Sequence, residues 1–158
     1  MKMKILLLAI TILSIAIAGC ASSDTVREQT YRSNLGTATD TDIQRIVPNI
    51  LSRYNFTIYR DDITLDGIYF ETEWKERDLF DDEKALGATE ARSRIYVTAR
   101  PRTAQASSLH RVNFEVQNEI LIEGEEGWNR ETITEEAEEY FSEIARTLRV
   151  EFDTGIRR

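Results

Sequence analysis

The chain reads as an α+β protein: a four-stranded antiparallel sheet with two helices packed on one face, in the order α-β-β-β-β-α. Three observations predict this. Apolar residues recur at helical spacing around Ile46 and again around Phe141. Between those stretches, four runs alternate apolar with polar or charged side chains. Period-two alternation describes a sheet with one dry and one wet face. Two amphipathic helices can cover the dry face and close a single core.

The elements follow in order. Ile43, Ile46, Val47, Ile50 and Leu51 form one apolar stripe, which predicts a helix over 42–53. Asp40 or Thr41 can cap it, and Pro48 inside it predicts a kink or a late start near Val47. The first strand runs from Tyr54 to Arg60 and the second from Gly67 to Arg77, with the turn-rich DDITLDG between them. In the second, Ile68, Phe70, Thr72 and Trp74 face one way. The third strand, Arg92 to Arg100, sets Ile95, Val97 and Ala99 opposite Arg94, Tyr96 and Thr98. The fourth, His110 to Ile122, sets Val112, Phe114 and Val116 opposite Arg111, Asn113 and Glu115. A second helix, Ile133 to Arg149, opens on a Thr132/Glu135 capping box. Its first turns carry four glutamates and its last turn Arg146 and Arg149, which suits the helix dipole.

The first 20 residues carry a different signal. Lys2 and Lys4 precede an uncharged, mostly apolar stretch from Ile5 to Gly19, and Ile17-Ala18-Gly19-Cys20 ends it on the only cysteine of the chain. The stretch is too short to span a bilayer, which takes about 20 residues. This pattern resembles the lipoprotein class of signal peptides with its lipobox. The resemblance implies removal of residues 1–19 and diacylglyceryl modification (with palmitate-type chains) of Cys20. It also implies membrane attachment through that lipid, since acyl burial adds about 0.8 kcal/mol per methylene. Ala21 follows the cysteine where Asp resembles an inner-membrane retention signal. The expected location is therefore the bacterial cell envelope, at the outer membrane facing the periplasm.

The remaining organisation is simple. Residues 20–40 read as the lipidated N-terminus and a flexible tether, reaching about 25 Å as a random coil. Residues 41–150 read as a single domain and 151–158 as a frayed tail. The first 19 residues hold two lysines and no acid, so the chain from Cys20 carries 18 cations against 28 acids, a net of −10. Such an acidic balance excludes nucleic acid as a partner.

No catalytic pattern emerges. The single histidine, His110, starts a strand without a cysteine or second histidine to complete a metal site. It reads as a surface or strand-edge imidazole. Ser107 and Ser108 precede it on a loop, where neighbours do not build a triad. Asp61-Asp62 and Asp81-Asp82-Glu83 lack the spacing of a calcium loop. No metal or other cofactor is expected, and the chain reads as a non-enzyme. Tryptophans and loop aromatics are the better candidates for contact. Trp74, Trp128 in the loop EEGWNRE, and Phe80 in the long loop 78–91 form the candidate binding set.

The segment DGIYFETEWKERD, with Gly67, Thr72 and Trp74, sits between a short helix and a strand alternating arginines with apolar residues. From Asp42 to Leu148 this arrangement resembles the helix-grip domains of BamC-type lipoproteins, which belong to the β-barrel assembly machinery of the outer membrane. The resemblance implies a helix-grip-like fold and a non-enzymatic, lipid-anchored protein working through protein–protein contacts. Outer-membrane assembly or maintenance would be its setting, with an envelope protein as partner. The alternative is a module that binds a lipid or small hydrophobic ligand between sheet and helix, where Ala99, Ala137 and Ala145 leave room.

Overall fold

The computed structural model describes residues 30–102, 109–130 and 133–156. The signal segment and Cys20 lie outside them, as does Thr132. The described elements are β1 (Tyr31–Thr39), α1 (Asp40–Arg53), β2 (Ile58–Thr64), β3 (Gly67–Thr72), β4 (Lys75–Arg77), α2 (Asp81–Ala85), β5 (Ala88–Pro101), β6 (Leu109–Ile122), β7 (Trp128–Asn129) and α3 (Glu135–Ile156). The expected four strands and two helices are thus corrected to seven strands and three helices. All strands join one antiparallel sheet in the order β1-β6-β5-β3-β2, with β4 also on β5 and β7 also on β6.

The centre is the long β5–β6 ladder, running from Ala88↔Ile122 to Pro101↔His110. Both strands match the alternation expected for Arg92–Arg100 and His110–Ile122. β1 occupies Tyr31–Thr39, within the 20–40 stretch expected to be a flexible tether. Its buried residues are Leu35 and Ala38, three apart. A one-residue bulge between Asn34 and Gly36 resets the alternation there. Gly36 sits at φ 91, and its N–H donates to the Asn34 side chain. A period-two scan therefore has nothing to find.

The helices cover the dry face. α1 runs unbroken through Pro48, and its cap is Thr39, whose hydroxyl accepts from the Asp42 N–H. Losing one helix bond to proline costs about 3 kcal/mol. The five buried residues of the α1 stripe, Ile43, Ile46, Val47, Ile50 and Leu51, offset that through packing. α3 begins with Thr134, whose hydroxyl accepts from Ala137 N and whose carbonyl accepts from Glu138 N. It continues past Arg149 to Ile156, so the expected tail is helix, and Phe152 on it is fully buried. Leu35, Ala38, the α1 stripe, Ile95, Val97, Val112, Phe114, Val116, Phe141, Ile144, Leu148 and Phe152 form one core cluster. Ala99, Ala137 and Ala145 lie buried within it.

One end of this dry face is polar. Glu83 of α2 is fully buried and accepts from Arg77, Asn118 Nδ2 and Phe80 N. Arg77 also donates to Asn118 Oδ1 and Ser93 Oγ. Beyond this network lies a small second cluster of Ala88, Ala91 and Ile120. The expected long loop 78–91 is thus a short helix and the start of β5, pinned by a buried ion pair.

Candidate functional site

The wet face of the sheet carries the best-organised cluster, and a register change builds it. β3 pairs Glu71 with Tyr96, whereas β4 pairs Lys75 with Ser93. The chain thus advances four residues while β5 advances three. The ladder is bridged by Thr72, whose hydroxyl accepts from Ile95 N and donates to Glu73 O. The extra residue reverses the alternation beyond it. Trp74 was expected on the same face as Ile68 and Phe70. The bulge turns it to the opposite, wet face, and turns Lys75 and Arg77 inward.

There Trp74 meets the β5–β6 ladder where Arg92 stands directly opposite Glu119. Glu119 is fully buried although it belongs to the wet face. Arg92 Nε donates to Glu119 Oε2 at 2.7 Å, and Arg130 Nε donates to Oε1 from the other side. Two aromatic rings cover this ion cluster. The Arg92 guanidinium carbon lies 4.5 Å from the Trp74 ring and 4.1 Å from the Trp128 ring. Trp128 is held there by β7, which pairs it with Leu121. Arg94 reaches the Trp74 ring at 4.7 Å and donates to Glu71 Oε1 at 2.7 Å. The result is a guanidinium sandwiched between two indoles and anchored from beneath by a carboxylate. Both tryptophans keep part of their surface in solvent.

Phe80 is not part of this group. It precedes α2 on the other side of β4, against the Arg77 guanidinium at 4.3 Å and the Tyr140 ring at 5.7 Å. With Lys75, Glu76, Arg77, Asp78 and Tyr140 it lines an open cleft of about 560 Å³. Lys75 donates to Tyr54 O at 2.7 Å in that cleft and lies over the Phe56 ring. Burial, and then the nearby Arg77 charge, hold its ammonium below the ordinary lysine pKa. Burial likewise raises the Tyr140 hydroxyl.

The other candidates take structural places. His110 is buried on the dry side, with Nδ1 2.6 Å from Asp40 Oδ1, instead of lying at the surface as expected. Asp82 Oδ2 accepts from Glu136 N, and Glu136 Oε2 accepts from Asp81 N, so these acids join two helix N-termini. Among the described residues, no group of three or more His, Cys, Asp or Glu is placed to hold a metal ion. None of the described helices is long and apolar enough to cross a membrane.

Sequence reasoning brought forward Trp74 and Trp128 separately but missed the residues that join them, Arg92, Glu119 and Arg130. Glu119 did carry a signal: it is an acid on a strand, flanked by Asn118 and the apolar Ile120 and Leu121. Its partner arginine could be paired with it only once the β5–β6 register was known. No known family model matches the chain, and no curated protein matches it either.

Proposed function

We propose that this protein is a non-enzymatic, lipid-anchored lipoprotein of the bacterial cell envelope. It acts by protein–protein contact, in outer-membrane assembly or maintenance. Two features support the reading. One is the run ending Ile17-Ala18-Gly19-Cys20 behind Lys2 and Lys4. The other, which carries it, is the Trp74–Arg92–Trp128 stack. Tryptophan and arginine are the residues most enriched at contact hot spots. Here both are preordered, so a partner binding them loses little side-chain entropy on association. A reactive centre instead needs a nucleophile or base poised in a cleft. Beneath this stack the Glu119 carboxylate is already bonded by Arg92 and Arg130.

The alternative, a pocket for a hydrophobic ligand between sheet and helix, finds less support. Phe114, Phe141 and Phe152 are fully buried and share one core cluster with Ala99, Ala137 and Ala145.

Two experiments on the full chain expressed in a diderm bacterium test the reading. A Cys20→Ser variant should lack the lipid and run at a mass different from the processed wild type; retention in the membrane fraction at the wild-type processed mass would overturn the anchor. A photo-crosslinking residue at position 128 should give a discrete adduct that the same residue at position 65, on the exposed hairpin tip, does not. Identical adduct patterns at both positions would overturn the contact role of the stack.

A further inference from the structure

The wet face is rich in arginine, and nearly all of it is matched. Arg32 pairs with Glu115, Arg60 with Asp62, Arg94 with Glu71, and Arg92 with Glu119. The exception lies at the far end of the β5–β6 ladder. There Arg100 stands directly opposite Arg111. Both are exposed, and neither has an acid within ion-pair distance among the described residues. Like charges directly opposite on a sheet are destabilising. The surroundings add donors. Thr98 faces Asn113 one step along the ladder, on the same face. Asn113 Oδ1 already accepts from Asn34 Nδ2, which leaves the Asn113 amide N–H groups free to donate outward. Arg100, Thr98 and Asn113 line a surface depression of about 410 Å³. Its other charged walls, Arg32 and Glu115, neutralise each other.

We propose that Arg100 and Arg111, with Asn113 and Thr98, form a binding site for a phosphate group. Two guanidinium forks offer more donors than the two oxygens of one carboxylate can accept. A phosphate offers three or four oxygens and up to two negative charges, which match both forks at once. The bound anion also removes the repulsion that the empty pair suffers. The arrangement is notable because the chain as a whole is acidic, at −8. Asp62 and Asp66 line a neighbouring depression with Arg100, but Asp62 pairs with Arg60 and neither acid forms an ion pair with Arg100 or Arg111 among the described residues. The group is a free phosphate or a phosphomonoester, carried by a small molecule or by a lipid headgroup that ends in one. The site stands whether or not Cys20 carries a lipid.

The test is thermal unfolding of the full chain in neutral detergent, for wild type and for the Arg100→Gln, Arg111→Gln double variant. Each is measured with sodium chloride, with inorganic phosphate at equal ionic strength, and in mixed micelles containing dioctanoyl phosphatidic acid, whose headgroup is a phosphomonoester. In chloride the double variant should melt about 1–4 °C above wild type, because the repulsion is gone. Inorganic phosphate or phosphatidic acid should raise the wild-type midpoint by several degrees and leave the double variant at its chloride value. A rise with inorganic phosphate assigns a free phosphorylated ligand, and a rise with the lipid alone assigns a headgroup. Equal rises in both proteins would reflect general salt stabilisation and would overturn the site. So would no rise in either.

Discussion

Arg92 is the keystone of the wet-face cluster, and replacing it with alanine has a calculable cost. The substitution removes a charge-assisted bond to Glu119, which is fully buried. Such bonds contribute about 1.5–3 kcal/mol, and the partial exposure of Arg92 favours the lower end. It also removes two cation–π contacts, at 4.5 and 4.1 Å, worth about 0.5–1 kcal/mol each. Glu119 is left with Arg130 alone, a side chain 52% exposed. The expected loss is about 3 kcal/mol, or a drop of about 10 °C in the melting temperature of a domain this size. Circular dichroism at the helix band measures it. The chain contains only two tryptophans, Trp74 and Trp128, so the emission spectrum reports this cluster alone. Arg92→Ala should shift emission to longer wavelength as both rings lose their cover. Arg92→Lys keeps the charge but not the planar fork, and should recover less than half of the stability. Arg130→Ala, at an exposed partner, should cost within about 1 kcal/mol. A loss below about 1 kcal/mol for Arg92→Ala, with unchanged emission, would refute the argument that this stack is ordered from beneath by Glu119.

Two further outcomes are expected. Glu83→Ala strands the Arg77 guanidinium, whose side chain is 6% exposed, in the protein interior. Urea unfolding should show a loss of about 3–5 kcal/mol, and adding Arg77→Met to that variant should restore part of it. Tyr69 supplies a pH dependence. Burial, and then its hydrogen bond to Glu71, push its hydroxyl up to about 12 from an ordinary value of 10.0. The folded state therefore keeps a proton that the unfolded chain releases, so this contribution is whole below pH 10 and fades as pH rises towards 12. Tyr69→Phe should flatten the fall in urea midpoint between about pH 10 and pH 11.5. An unchanged slope would count against the assignment.

Some of this structure was legible residue by residue, and some could not have been. Both long helices showed as apolar stripes, since a 3.6-residue period survives in the linear chain wherever one face is buried. The central strands showed for the same reason at period two. Where the backbone inserts an extra residue, the period breaks. That happens at Asn34–Gly36, which hid β1 inside an apparent tether, and at Thr72–Trp74, which sent Trp74 to the opposite face from the one expected. Short elements were lost as well. α2 and β7 span five and two residues, too few to display any period.

The sequence by itself determined the α+β composition, the amphipathic stripes, the acidic balance and the run ending at Cys20, because each is a property of neighbours along the chain. Tertiary structure alone decided which charges meet. Arg92 finds Glu119, and Arg100 finds Arg111, only through a register that pairs residues 27 and 11 positions apart. Coulomb energy and cation–π attraction act over a few ångströms of space, and that proximity is created by sheet pairing and bulges, which the linear order of residues does not express.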